Sequence, residues 1–124
     1  MKVYLCGPIA DCTDEQCMGW RDAAKAMLPD TVDPMRRDYR GREHLYFEVV
    51  EQDKLDIMQC DALLVNFLWP SVGTSMEVLF AWEQHKIIIV VANKALVPSP
   101  WLRYHATTIV NTLEEAVCLL RKIQ

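Results

Sequence analysis

The chain has 124 residues, of which 52% are hydrophobic and 24% are charged, and its formal net charge is −4. This length and composition are typical of one folded domain with a core, so we expect a single domain over residues 1–124. The negative charge argues against a nucleic-acid polymer as partner, because no overall positive field would attract one. A small anionic ligand is still compatible with the negative net charge, provided that positive side chains are concentrated at its binding site.

The cysteines and the N-terminal sequence bear on the cellular compartment. The five cysteines are odd in number and scattered, which is more typical of reduced thiols in the cytoplasm than of a disulfide framework. The first apolar run is too short for a signal peptide, and no segment has the length that crosses a membrane. We therefore expect a cytoplasmic protein without a membrane partner. Cys12 and Cys17 lack the further ligands that would complete a metal site, and no metal or cofactor is expected.

The first half of the chain alternates short β-prone runs with helical segments. Thr13 opens a T-x-x-Q capping pattern at the start of the first helix, and prolines follow several of the elements. The predicted elements are a strand at 2–6, a helix at 15–28, a strand at 31–33, a polar loop at 35–43 and a helix at 43–60.

The second half continues the alternation and contains the most apolar strands. The predicted elements are strands at 62–67 and 86–92, a helix at 74–85 between them, a loop at 93–104, a strand at 107–110 and a helix at 113–123. Continuously apolar strands are typical of a parallel sheet covered on both faces. The sequence predicts a flavodoxin-like (Rossmann-like) α/β fold, a three-layer sandwich around a five-stranded parallel sheet in the order 2-1-3-4-5.

This strand order predicts where a ligand binds. Ligands of such sheets bind at the carboxyl edge where the strand order reverses, here between the loops after strands 1 and 3. Those loops are C6-G-P-I-A10 and N66-F-L-W-P-S-V-G-T74.

Glu77 lies beside the second of these loops and has two interpretations. Thr74 and Glu77 have the T-x-x-E spacing of a capping box, in which each side chain binds the backbone of the other residue. Alternatively, Glu77 is a nucleophile that the helix N-terminus keeps ionised. The same free N–H groups would suit a phosphate, because Ser71, Gly73 and Thr74 are small enough to allow close approach.

Asp53 is a second candidate because of its position on a helix. The spacing places it on a stripe expected to be buried, where a carboxylate is costly unless it is paired or used in chemistry. The stripe consists of Tyr46, Val50, Ile57 and Cys60. A backbone donor or an arginine would also satisfy Asp53, and Asp56 is expected to be solvated.

The loop R36-R-D-Y-R-G-R42 concentrates positive charge in an otherwise acidic chain. Guanidinium groups bind phosphate through paired donors, so Arg36, Arg37 and Arg40 are candidates for an anion clamp near the crevice. A solvated surface loop explains these residues equally well.

Three segments together resemble a known family. Y4-L-C-G-P-I9, E51-Q-D-K-L-D-I-M-Q-C-D61 and P70-S-V-G-T-S-M-E77 are similar to the nucleoside 2-deoxyribosyltransferase superfamily, and most similar to its deoxynucleoside 5′-monophosphate N-glycosidases. The resemblance implies that Glu77 is the nucleophile that attacks the anomeric carbon. It also implies that Tyr4 lies against Glu77, and that Asp53 holds the sugar hydroxyls or assists proton transfer to the leaving base.

The resemblance has further implications for substrate binding. Gly7 and Pro8 would line the sugar, Ser71 would bind the phosphate, and Ser99 would complete the site of a neighbouring subunit in a homodimer or higher homo-oligomer. Pro8 and Ala10 stand where the monophosphate hydrolases have a serine and a nearby arginine. Phosphate binding would then depend on Ser71 and the arginine loop.

The expected function is cleavage of the N-glycosidic bond of a (deoxy)nucleoside 5′-monophosphate or a nucleoside through a glycosyl-enzyme intermediate. A small-molecule nucleoside or nucleotide is the expected partner. Two alternatives stay open: base exchange between free nucleosides, and a non-catalytic nucleotide sensor in which Glu77 only caps its helix. The sequence leaves open which base is removed and whether the sugar is ribose or deoxyribose.

Overall fold

The computed structural model describes residues 1–93 and 99–123, which contain one five-stranded parallel sheet. Its strands run in the order β2-β1-β3-β4-β5, and each neighbouring pair is parallel. The predicted flavodoxin-like α/β fold and its strand order are therefore confirmed. The strands are β1 (Val3–Cys6), β2 (Thr31–Val32), β3 (Ala62–Asn66), β4 (Ile87–Val91) and β5 (Thr108–Val110).

In the described part of the chain, five α-helices connect and cover the strands. They are α1 (Trp20–Met27), α2 (Tyr46–Gln59), α3 (Val72–Glu83), α4 (Pro100–His105) and α5 (Leu113–Ile123). Short 3₁₀ turns at Pro34–Arg36 and Glu43–Leu45 lie between β2 and α2. None of the helices in the described part of the chain is long and apolar enough to cross a bilayer.

The predicted loop at 93–104 is wrong in its second half, where α4 forms. Ser99 caps this helix by accepting a hydrogen bond from the backbone N–H of Trp101 at 3.2 Å, and Pro100 occupies the first helical position. Residues 94–98 of the predicted loop lie outside the described residues.

The first helical segment begins with the predicted capping pattern. The backbone N–H of Thr13 donates to Gln16 Oε1 at 2.9 Å, and the backbone N–H of Gln16 donates to Thr13 Oγ1 at 3.2 Å. This capping box is confirmed. The segment is not one continuous α-helix, because a turn of π-helix at Glu15–Gly19 precedes α1.

The core has one layer on each face of the sheet. Val3 and Leu5 of β1 pack with residues of α1 and α5, while Tyr4 and Cys6 pack with residues of α2, α3 and α4. Alternation along a strand causes this division. It places the side chain of Tyr4 on the face of the sheet that α2 and α3 cover.

The buried stripe predicted along α2 is wrong in its N-terminal half. Tyr46 is 72% exposed and Val50 is 46% exposed, whereas Ile57 and Cys60 are buried. Only the C-terminal half of α2 packs on the sheet; the N-terminal half lines a pocket. Asp53 lies at the junction between these two halves.

Candidate active site

A pocket of about 310 Å³ lies at the carboxyl edge of the sheet, where the strand order reverses. Its walls come from the loop after β1, the segment between β2 and α2, the helix α2 and the first turns of α3. This volume is at the lower end of the range for small-molecule sites. Among the predicted site residues, Gly7, Asp53, Ser71, Gly73, Thr74 and Glu77 line it.

Glu77 is held in this pocket by Tyr4. The Tyr4 hydroxyl donates a short hydrogen bond of 2.5 Å to Glu77 Oε2, joining β1 to α3 across 73 positions of sequence. Tyr4 is fully buried, so its hydroxyl has a fixed position. The contact orients the carboxyl group of Glu77 with respect to the pocket.

The predicted capping box of Thr74 and Glu77 is wrong. The helix α3 begins at Val72, two residues earlier than predicted, because Ser71 is extended and its Oγ accepts from the backbone N–H of Thr74 at 3.4 Å. Thr74 is only 1% exposed, and its hydroxyl has no hydrogen-bond partner among the described residues. Glu77 therefore has no capping role at this helix.

The prediction that the helix N-terminus keeps Glu77 ionised is also wrong. Burial raises the pKa of Glu77 to about 8, and the negative charge of Asp53 adds to the rise. The hydrogen bond from Tyr4 and the positive charge of Arg21 oppose it without cancelling it. The effect of a helix terminus fades beyond the first turn, and Glu77 is the sixth residue of α3.

Asp53 ionises at a lower pH than Glu77. Burial raises the pKa of Asp53 to about 6, although Arg37 opposes the shift with Nη2 at 3.5 Å from Asp53 Oδ1. Between pH 6 and pH 8 the free protein therefore combines a mostly charged Asp53 with a mostly protonated Glu77. Two carboxyl groups whose pKa values are pushed apart in one pocket are typical of acid–base and nucleophilic chemistry.

Asp56 was expected to be solvated, and this is wrong. It is 5% exposed, and its two oxygens accept hydrogen bonds from Arg36 Nη2 at 2.8 Å and Arg37 Nη2 at 2.5 Å. Burial opposes ionisation, but the two guanidinium groups outweigh it and lower the pKa of Asp56. Asp56 thereby fixes the arginine loop to α2.

The arginines of the predicted anion clamp do not all face the pocket. Arg37 and Arg40 line it, whereas Arg36 is outside the lining and binds Asp56 and the backbone oxygen of Asp33. Arg40 pairs with Asp38 and Asp14, at 2.8 Å in each case. The role of Arg37 and Arg40 as a clamp stays a prediction.

Two other predicted residues lie apart from this pocket. Pro8 is not among the described residues that line it, although its neighbours Gly7 and Ile9 are. Ser99 lies at the start of α4 in a separate groove, beside Trp101 and Leu102. The role of Ser99 in a neighbouring subunit stays a prediction.

Sequence reasoning missed pocket residues between the end of β2 and the first residue of α2. Tyr39, Glu43 and Tyr46 line the pocket. Their position after β2 could have indicated this. Because β1 and β2 are parallel, the carboxyl ends of both strands lie at the same edge of the sheet, where the ligand site is expected.

The fold and pocket define a flavodoxin-like α/β protein with a carboxyl pair at the switch point. No protein-family model matches the chain, and no curated protein is significantly similar to it in sequence. Solved structures of the same fold include the following three, at sequence identities that carry no conclusion beyond the fold.

The first is a 2-deoxyribosyltransferase from Bacillus psychrosaccharolyticus, with a TM-score of 0.75 and 14% identity over 94% of this chain and 90% of that one. The second is the CMP N-glycosidase BcmB of Clostridium botulinum, with a TM-score of 0.63 and 16% identity over 98% and 99%. A conserved protein from Enterococcus faecalis V583 has a TM-score of 0.56 and 11% identity over 95% and 86%.

Proposed function

We propose that this protein is an enzyme that cleaves the N-glycosidic bond of a (deoxy)nucleoside 5′-monophosphate or a nucleoside, with Glu77 as the nucleophile. The observation that carries the proposal is the position of Glu77, oriented by Tyr4 in a pocket that Asp53 also lines. Two structures of the same fold support it, since one is a 2-deoxyribosyltransferase and the other a CMP N-glycosidase.

The chemistry needs an ionised carboxylate next to the sugar. As the C–N bond breaks, its electron pair leaves with the base and positive charge develops on the sugar. Ionised Glu77 forms a bond to the anomeric carbon, and the departing base takes up a proton. Water then cleaves the glycosyl ester, releasing the sugar and restoring Glu77. Asp53 holds the sugar hydroxyls or assists proton transfer to the base.

The start of α3 is the proposed binding site for a 5′-phosphate. Ser71, Gly73 and Thr74 are small residues at a helix N-terminus that lines the pocket, where backbone N–H groups favour an anion. The Thr74 hydroxyl adds a buried donor that is not used by the described residues. Arg37 and Arg40 contribute positive charge at the pocket wall. These features support a monophosphate over a free nucleoside.

A panel of substrates tests the proposal. Each nucleoside is paired with its own 5′-monophosphate, and chromatography measures free base, sugar phosphate and any new nucleoside formed in the presence of a second base. We expect free base and sugar phosphate from at least one deoxynucleoside monophosphate, with less release from the matching nucleoside. A new nucleoside would instead identify base exchange, and release from no compound would overturn the proposal.

The non-catalytic sensor has lost its main support. It depended on Glu77 serving as a helix cap, and Ser71 performs that role. Base exchange remains the second candidate function, because a deoxyribosyltransferase shares the fold and nucleophilic attack by Glu77 is common to both reactions. A cytoplasmic location stays a prediction from the cysteine content.

A second copy of the chain is the proposed cover for an apolar surface beside the pocket. Tyr46 and Phe47 of α2 and Val72 and Met76 of α3 are exposed apolar side chains on two helices that contact each other. Exposed apolar side chains that together form a large patch mark interaction sites. We expect sedimentation velocity to give a homodimer or larger oligomer. Met76→Arg should shift it toward monomer, whereas Ile123→Arg, on the opposite side of the sheet, should not. A monomer for the unchanged chain would contradict this proposal.

A further inference from the structure

Among the described residues, Arg21 of α1 is the largest side chain that is fully buried, with 0% exposure. A buried guanidinium group is costly unless its donors are satisfied, so its contacts indicate what it stabilises. Arg21 is not a lining residue of the pocket. Its contacts nevertheless lead to two of the pocket walls.

The first set of contacts joins Arg21 to the loop after β1. Nη2 donates to the backbone oxygen of Gly7 at 3.0 Å, and Nε donates to that of Leu5 at 3.4 Å. Nη1 donates to the backbone oxygen of Cys17, in the π-helical turn, at 2.6 Å. One side chain thus holds the end of β1, the pocket residue Gly7 and the turn before α1.

The position of Gly7 is also restricted from both sides. A Cβ atom on Gly7 would lie 2.8 Å from Cζ2 of Trp20 and 3.1 Å from the backbone oxygen of Asn66. The Trp20 ring in turn lies against Arg21, whose Cζ is 4.6 Å from the ring centroid. Gly7 is therefore enclosed by Trp20 and the end of β3, with its carbonyl group directed to Arg21.

The second set of contacts joins Arg21 to the segment after β2. Arg21 Nε lies 3.7 Å from Asp33 Oδ1, and this oxygen also accepts from the backbone N–H of Met35 at 2.8 Å. Asp33 thereby caps the 3₁₀ turn at Pro34–Arg36. Pro34 and Arg37 on this segment line the pocket.

We propose that Arg21 is a positioning residue that fixes the loop after β1 and the segment after β2 as two walls of the pocket. The part of this proposal that is measured as a change in kcat rests on the proposed function. Among the described residues, Arg21 makes no hydrogen bond or ion pair with Glu77, and it does not line the pocket. It sets where Gly7 and Arg37 lie relative to the carboxyl groups, and small displacements of positioning groups are costly in rate.

Arg21→Lys tests this role, because lysine keeps the charge but lacks the planar group that reaches three carbonyls. We expect kcat to fall by about tenfold to a hundredfold with little change in KM. Amide hydrogen exchange should become faster at residues 7–12 and 34–37 and stay unchanged in β3 and β4. Lys25→Met is the matched control: Lys25 Nζ binds Asp33 Oδ2 at 2.8 Å but no backbone carbonyl of either wall, so kcat and exchange should match those of the unchanged protein.

Several outcomes would overturn the proposal. Unchanged kcat and exchange in Arg21→Lys would do so, as would faster exchange spread evenly over the whole chain, which indicates general destabilisation. If Arg21→Lys does not fold, Asp33→Asn serves instead; it keeps an acceptor for Met35 but removes the charge that faces Arg21. In Asp33→Asn, amide hydrogen exchange should then become faster at residues 34–37 alone. Unchanged exchange at these residues would contradict the proposed link between Arg21 and the segment after β2. If the unchanged protein cleaves no compound, the proposed function fails, and the exchange pattern alone decides the role of Arg21.

Discussion

Glu77→Gln should slow base release by at least about a hundredfold, because it removes the nucleophile. Glutamine has nearly the same shape, and its amide oxygen can still accept the hydrogen bond from Tyr4 that Glu77 Oε2 accepts now. The geometry of the pocket should therefore persist while the chemistry is lost. Single-turnover release of base, measured by chromatography with the best substrate of the panel, gives the rate. An unchanged rate would refute the nucleophile assignment.

The stability of the same variant separates lost chemistry from lost folding. Burial raises the pKa of Glu77 from an ordinary value of 4.5 to about 8, so the folded protein favours the neutral carboxyl group. The stability that this neutral form contributes is complete below about pH 4.5 and is lost as the pH rises toward 8. Glutamine stays neutral throughout. Glu77→Gln should therefore melt at a higher temperature than the unchanged protein at pH 8 and at nearly the same temperature at pH 4.5.

Calorimetry over that pH range measures the difference. Tyr4 and Cys6 of β1, Arg21 of α1, and Asp53 and Asp56 of α2 act electrostatically on or near Glu77, and they are the same in both proteins. A variant that is inactive and also melts lower at pH 8 would indicate a folding defect. In that case the loss of activity would say nothing about the nucleophile.

The elements most accurately predicted from sequence are those whose local pattern and core packing agree. The closing helix predicted at 113–123 coincides with α5, in which the buried residues Ala116, Val117 and Leu120 recur at helical spacing. The apolar runs of β3 and β4 predicted two central strands of a parallel sheet. Their order predicts the edge of the sheet at which the pocket lies.

The stripe on α2 shows where this reasoning fails. Periodicity identifies an apolar face but not what covers it, so Tyr46 and Val50 at a pocket were indistinguishable from Ile57 in the core. The same reasoning placed Asp56 in solvent, although it is only 5% exposed. Asp56 is the deeply paired carboxylate, and its partners Arg36 and Arg37 come from a loop 19 to 20 residues away.

The predictions made for the start of α3 are wrong for a different reason. Ser71 and Thr74 both have the local character of an N-cap, and the sequence alone does not decide between them. The partner of Glu77 is a tyrosine 73 residues away, and the burial that raises its pKa depends on β1 and α2. Local rules suggested a stabilised anion, whereas the tertiary structure produces a carboxyl group that is neutral until about pH 8.

Asp53→Asn should bind the substrate with nearly unchanged affinity but reduce kcat by about a hundredfold or more, as loss of a proton-transfer group does. Asparagine retains the size of Asp53 and can bind a sugar hydroxyl, so the ground-state contacts persist. It lacks the negative charge that faces the developing positive charge on the sugar, and it cannot accept a proton. Calorimetric binding and steady-state kinetics measure the two effects separately. Turnover equal to that of the unchanged protein would return Asp53 to a structural role.

The pH dependence of Asp53→Asn adds a second readout. The negative charge of Asp53 is one of the causes that raise the pKa of Glu77, so its removal should lower that pKa. The remaining activity should then rise with pH at lower values than in the unchanged protein, whose activity should rise toward pH 8. Glu51→Gln is the matched control, since it removes the same charge from an exposed position on α2 outside the pocket lining. It should leave both kcat and the pH profile unchanged, because a solvated charge outside the pocket is screened from Glu77. If the two variants shifted the profile equally, the net charge of the protein, rather than the proximity of Asp53 to Glu77, would set the pKa of the nucleophile.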